Sequence, residues 1–320
     1  MKLSIVIPTW NHYDLLSACL ESLKAQSQPA DEIIVVNDAS TDDTVERITE
    51  EHPDITLIMR ERNGGFAKAA NLGLKAAQSE WVLLLNNDMT LAPDFLAQLL
   101  AVASEDVQMV APLVLWRDDP ETIYSAGDRL CINGRPEAIG FREVRDTFTL
   151  PDSIFGVSGG SGLFHRTVFE RVGYLDESFI AYFEDADLAM RARLAGFKAC
   201  HAPEAIAYHV GSASIADRTW WRSAQCYRNH TLLLVKNMPG SLLFKHFFAI
   251  KLEQFHQMKQ CFSAARCEFG ALRASGITLK VFGSLFLTLI PAWVARLQIQ
   301  RHRAITVAEF DALLHGARKR

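Results

Sequence analysis

The sequence predicts an α/β fold: a mostly parallel sheet flanked by helices, followed by a basic, apolar helical region. Three observations predict it. Short apolar runs alternate with helically spaced segments through the first third of the chain. The run Trp81–Leu85 is continuous, as in a strand buried on both faces, and stops at Asn86-Asn87-Asp88. Charge is divided: residues 222–320 hold 15 of the 33 Lys+Arg but only 4 of the 37 Asp+Glu. Parts of opposite sign suggest different partners. A chain of 320 residues holds one large or two ordinary domains, and we expect 1–220 and 221–320.

The elements follow in order. Leu3–Ile7 reads as a strand, and Leu15, Leu16, Cys19, Leu20 and Leu23 have helical spacing. Glu32–Val36 is a second strand, ending at Asn37-Asp38. Ser40-Thr41-Asp42-Asp43 resembles a capping box with Asp in place of Glu. Thr56–Met59 is a third strand, Gly65–Gln78 an Ala-rich helix and Trp81–Leu85 the fourth strand. Pro93 opens a helix over Asp94–Ala103, and Val107–Leu115 is again strand-like. Residues 116–160 are loop-rich, with Gly127, Asn133-Gly134 and Pro136, as binding loops often are.

From Trp220 the pattern is helical, with a break at Met238-Pro239-Gly240. Val281–Ala295 carries no charge, but it is shorter than the roughly 20 residues a spanning helix needs, and Pro291 interrupts it. With its basic flanks, 240–303 suits peripheral contact with an anionic membrane. A helical subdomain or a homo-oligomer interface is the other reading. Nucleic acid is a poor partner for so apolar a segment. The six cysteines lack Cys-x-x-Cys spacing, so no zinc or redox motif is indicated, and the N-terminus enters a strand without a signal peptide.

Ligands in open α/β sheets bind beyond the carboxyl ends of the strands. Those ends supply Pro8-Thr9-Trp10-Asn11, Asn37-Asp38 and Asn86-Asn87-Asp88. The first two suit a nucleotide base and ribose, and Asp88 suits a hard metal ion bridging to a diphosphate. Asp38 is either an acceptor for a ring N–H or a turn residue. Gly64-Gly65 before a helix allows close backbone approach to an anion, with Lys68 as a point charge. Glu184-Asp185-Ala186-Asp187 follows the apolar Phe179–Phe183, surroundings that raise a carboxyl pKa towards that of a general base. His209, in an apolar segment, is either a satisfied core residue or a ligand.

Together and in this order, six segments resemble the inverting family-2 glycosyltransferases of the GT-A, Rossmann-like fold. They are Ser4–Asn11, Val36–Asp42, Asn63-Gly64-Gly65-Phe66-Ala67, Asn86–Asp88, Glu184–Asp187 and His209. The Asn-Gly-Gly-Phe-Ala variant is most similar to the bacterial rhamnosyltransferase-like branch, which builds cell-surface polysaccharide. The resemblance implies that Asp88 is the last acid of an Asp-x-Asp motif holding Mn²⁺ or Mg²⁺ on the donor diphosphate, with His209 as a second ligand. Asn86 stands at the motif's first position. It implies further that Asp38 contacts the base near Thr9 and Asn11, that Asp185 is the catalytic base, and that Glu184 and Asp187 orient the acceptor or support the base. Gly160 and Ser161 would border the acceptor. The donor would be dTDP-rhamnose or a UDP-hexose, the acceptor a glycan or lipid-linked glycan, and the location the cytoplasmic membrane face. A nucleotidyltransferase would want a basic Gly-rich loop where Pro8–Asn11 stands. A non-catalytic, carbohydrate-binding relic is the third reading.

Overall fold

The computed structural model describes residues 1–211 and 219–315. The chain opens with β1 (Leu3–Thr9), α1 (Tyr13–Lys24), β2 (Glu32–Asn37), α2 (Thr44–Glu51), β3 (Thr56–Met59), α3 (Phe66–Ala76) and β4 (Trp81–Leu85). Next come β5 (Met89–Leu91), α4 (Phe95–Val102), β6 (Met109–Trp116), β7 (Ile123–Ser125), β8 (Asp128–Leu130) and β9 (Pro136–Ala138). After β10 (Ser161–His165), α5 (Arg166–Val172), α6 (Glu184–Leu194) and β11 (Ala199–His209), the remainder is helical. It comprises α7 (Thr219–Asn237), α8 (Gly240–Lys245), α9 (Phe247–Phe269), α10 (Ala271–Arg301) and α11 (Val307–Ala312).

The main sheet runs β3-β2-β1-β4-β10-β6-β11-β5, with β7 on β6. β3, β2, β1 and β4 pair in parallel, as do β6 and β11. β10 enters between β4 and β6 antiparallel to both, and β5 and β7 are antiparallel to their neighbours. Six strands therefore run one way and three the other. β1 and β4 are buried throughout, because helices cover both sheet faces. Leu3, Ile5 and Ile7 of β1 pack with Leu16, Leu20 and Phe95, while Val6 packs with Ala67, Ala70 and Leu74 of α3. α3 needs its small residues: a Cβ on Gly73 would lie 2.3 Å from Val6 Cγ1.

A third core joins the tail to this body. Phe179, Ala189, Met190 and Leu194 pack with Leu232, Leu233, Met238 and Ala292. α7, α9 and α10 pack pairwise.

Several local expectations change. Asp43 is the N-cap of α2 but makes no capping bond, and Asp42 accepts instead from the Thr44 N–H (3.2 Å) and hydroxyl (2.6 Å). The loop-rich 116–160 contains β7 and a β8–β9 hairpin turned through Gly134 at φ 80°. Pro291 does not end its helix: α10 runs unbroken over 31 residues.

Candidate functional site

The site is built where strands end. β1 lies between β2 and β4, so Thr9, Asn37 and Leu85 finish side by side. The Asn87 amide donates to Thr9 Oγ1 at 2.9 Å, and the Asp38 N–H donates to the Thr9 carbonyl at 2.8 Å. The Asn86 N–H donates to the Gly160 carbonyl at 2.8 Å. A Cβ on Gly160 would meet Asn86 Nδ2 at 2.6 Å, so a side chain there would displace the Asn86 amide. Ser161, next in the chain, pairs with Leu85 and is buried.

Asp88 precedes β5, whose antiparallel pairing sets Met89 opposite His209. That register brings together two residues 121 apart in sequence: His209 Nε2 lies 3.0 Å from Asp88 Oδ1. The Tyr124 ring stands edge-on to the imidazole at 4.3 Å. Burial, then the Asp88 charge, pushes the Tyr124 hydroxyl up to about 12. One carboxylate and one imidazole side by side fit a divalent cation that draws its remaining ligands from phosphate and water. No group of three or more His, Cys, Asp or Glu that could hold a metal exists among the described residues.

At the end of β2, Asp38 is buried, and its carboxylate is already engaged. It accepts from the Gly64 N–H at 3.0 Å and the Gly65 N–H at 2.8 Å, and it pairs with Arg60. Asn63 Oδ1 accepts from the Gly65 N–H at 3.2 Å, and exposed Lys68 lies beside Gly64. Gly65 has φ 87°, and a Cβ there would come within 3.1 Å of the Ile180 carbonyl. Pro8 and Asn11, both expected at the nucleotide, have structural partners of their own. Pro8 is buried in β1 opposite Val36. Asn11 ties the turn after β1 to residues 40–41, its side chain accepting from the Thr41 N–H at 2.8 Å and its N–H donating to Ser40 Oγ at 2.7 Å.

The acidic segment opens α6 from an unusual approach. Ile180, Tyr182 and Phe183 all have positive φ (67°, 67° and 72°), conformations costly for large side chains. The Asn229 amide of α7 holds them, donating to the carbonyls of Phe179, Ala181 and Tyr182, each at 2.8 Å. Asp185 accepts from the Gly159 N–H at 3.2 Å and the Ala186 N–H at 2.8 Å. Burial raises its pKa against those bonds. Burial and then the Asp185 charge push Glu184 up to about 8, and the buried Glu184 Oε2 has no partner among the described residues. Asp128 is raised well above the ordinary range for the same two reasons.

Of the two roles expected of Asp187, contact with an acceptor is corrected. The residue has no exposure, and its oxygens are taken by Arg191 Nε (2.8 Å), Lys236 Nζ (2.9 Å) and Asn237 Nδ2 (2.8 Å). It fastens α6 to α7 rather than touching an acceptor. The other motifs meet. The Gly159 N–H donates to Asp185, the Gly160 carbonyl accepts from Asn86, two residues before Asp88, and a Cβ on Gly159 would come within 3.5 Å of the Phe66 ring.

A family model described as "Glycosyl transferase family 2" matches residues 4–173, more than half the chain. The chain belongs to glycosyltransferase family 2. Among the relatives of this glycosyltransferase is a poly(ribitol-phosphate) β-glucosyltransferase of Bacillus spizizenii, 30% identical over 203 residues, 61% of this chain. Another is an N-acetylglucosaminyl-diphospho-decaprenol L-rhamnosyltransferase of Mycobacterium tuberculosis, 26% identical over 65% of this chain and 75% of its own length. The chain spans only 30% of the glucosyltransferase's length, and less than a third of several other curated relatives. A mannosyltransferase of Pyrobaculum calidifontis, solved with GDP-mannose and Mn²⁺, superposes with a TM-score of 0.55 at 22% identity, over 92% of this chain and 87% of that one. That likeness is one of fold, a GT-A-like sheet flanked by helices.

Four residues around this candidate site could not be singled out from the sequence. Asp128 follows Gly127, whose φ of 96° marks a turn, and that Gly-Asp pair within a loop-rich stretch was its only signal. Tyr124, Arg60 and Asn229 gave none, because each acts through a partner distant in the chain.

Proposed function

We propose that this family-2 glycosyltransferase inverts configuration as it moves a sugar from a nucleoside-diphosphate sugar to a hydroxyl of a glycan or lipid-linked glycan. The donor we favour is dTDP-rhamnose, then a UDP-hexose, in cell-surface polysaccharide synthesis at the cytoplasmic membrane face. The observation that carries the reading is the convergence of Asp185, Gly159–Gly160 and Asn86 beside the Asp88–His209 pair.

Asp185 is the base. A carboxylate of raised pKa, steadied by two backbone N–H donors, accepts the acceptor hydroxyl's proton as that oxygen forms the new glycosidic bond. The bond from the anomeric carbon to the diphosphate oxygen breaks on the opposite face, so configuration inverts. Asp88 and His209 would hold Mn²⁺ or Mg²⁺, which when bound offsets charge on the leaving diphosphate. Thr9 and Asn87, bonded to each other, shape the floor beneath the nucleotide, and Lys68 adds positive charge near the Gly64–Gly65 turn. Glu184, held largely protonated near neutral pH, keeps a second negative charge away from the base.

The test is a panel of nucleotide sugars offered to the purified chain with Mn²⁺ or Mg²⁺, reading nucleoside-diphosphate release and the product anomer by NMR. Release that never responds to any donor, or product with retained configuration, would refute the reading. No observation favours a nucleotidyltransferase or a relic.

A further inference from the structure

We infer that the α9–α10 hairpin docks flat on an anionic lipid surface, in the plane of the leaflet and not across it. The inference deepens the lipid-linked-acceptor part of the proposed function and stands on separate observations. α10 is apolar on two opposite faces. Ala274, Leu285, Ala292 and Arg296 are buried against the protein, while Leu279, Phe286, Leu287, Ile290, Trp293, Val294 and Leu297 are 54–82% exposed. At 100° per residue the exposed set falls within one arc, roughly a third of the helix circumference. α8 and α9 continue the pattern: Phe244 and Phe248 are each 86% exposed, Leu252 71% and Phe255 55%. Soluble surfaces rarely show so much contiguous hydrocarbon without an occupant.

Charge selects the occupant. Residues 240–303 carry nine Lys+Arg and two Asp+Glu, which attracts an anionic leaflet and opposes pairing of this face with a second copy of itself. The cations sit among the aromatics. Lys251 lies 5.8 Å above the Phe247 ring, Lys259 5.8 Å above Phe255, and Arg296 5.6 Å above Trp293. Long basic side chains beside rings suit the headgroup boundary, where stems lie in hydrocarbon and charges reach phosphate.

Packing selects the orientation. Arg273–Arg301 is long and apolar enough to cross a bilayer, yet its last third is bound to the body. Arg296 Nη1 donates to the Val235 carbonyl at 2.9 Å and Gln300 Nε2 to the Asn237 carbonyl at 2.7 Å. Crossing would also draw in α9, which brings Glu253, Gln257, Lys259, Arg266 and Glu268, a load of polar groups that hydrocarbon does not accept.

Flotation of the full chain with phosphatidylcholine vesicles, with and without about a third phosphatidylglycerol, tests the inference. The expected result is salt-sensitive co-flotation with the anionic vesicles only. Ile290→Glu/Trp293→Glu should bind at least about tenfold more weakly, since two exposed anchors are lost, with circular dichroism and nucleotide release unchanged. A parent that stays unbound, or a variant that floats equally well, would overturn it. So would a dimer of the parent that the double variant splits, which would assign the face to a second copy. Brominated lipids fix the depth, using the quenching lost in Trp293→Phe. Strongest quenching from bromines near the glycerol supports the flat orientation, and strongest quenching at the bilayer centre refutes it. A chain that floats but releases no nucleotide would refute the transfer reading alone.

Discussion

Two acids side by side at the start of α6 are set to different tasks by their surroundings. Burial raises both carboxyls, but Asp185 has two N–H donors that favour its charged form, whereas Glu184 meets the Asp185 charge and its Oε2 has no partner among the described residues. Asp185→Asn should lower turnover about 10²–10⁴-fold, the usual worth of a general base, with donor affinity by calorimetry preserved. Unchanged turnover would remove Asp185 from the mechanism. Glu184 predicts a stability signature. Its folded pKa, about 8, lies above the ordinary Glu value of ~4.3, so the unfolded chain releases this proton first. Its penalty is absent below about pH 4, grows from there to about pH 8 and is constant above. Glu184→Gln should therefore raise Tm at pH 8 and leave it unchanged near pH 4. An equal effect at both pH values would show that the carboxyl is not held neutral.

Elements report which parts of the chain can be read locally and which cannot. β1, β2, β4 and α3 were legible because a strand buried on both faces is written as an uninterrupted apolar run and a helix against a sheet as a run of small residues. The placement of β10 between β4 and β6 was not, since its pairing partners lie some fifty to eighty residues upstream. Pro291 misled because a helix packed on neighbours tolerates a missing N–H that an isolated one does not. Asp187 was legible as an acid but not as a buried tie, because Lys236 lies 49 residues on. Burial alone would raise its pKa, yet Arg191 and Lys236 hold it below the ordinary range. Its neighbour Asp176 is likewise lowered against burial, to about 2, by Lys236. These depressed acids support folding above about pH 4, and that support is lost as pH falls towards 2. Asp187→Ala removes the buried carboxylate that Arg191, Lys236 and Asn237 share, leaving Lys236 with Asp176 and the other two with backbone carbonyls. It should cost on the order of 3–5 kcal/mol in urea unfolding at neutral pH; a loss below 1 kcal/mol would mean that the tie is dispensable.

At the scale of the whole molecule, the parallel sheet, the order of motifs and the division of charge could be read from the sequence. The dependence of one part on the other could not. Leu232, Leu233 and Met238 are buried against α6, and Asn229 carries the turn ahead of Asp185. Ending the chain after residue 220 exposes that core, so the product should aggregate or lose cooperative melting and fail to release nucleotide. A soluble, active 1–220 fragment would contradict this. The three left-handed residues at 180–183 carry a consequence for engineering. Because the Asn229 amide, with Arg228 beside it, bonds this turn, any chimera that exchanges the tail must keep a donor at position 229. Otherwise the swap would unseat the segment ahead of Asp185 as well.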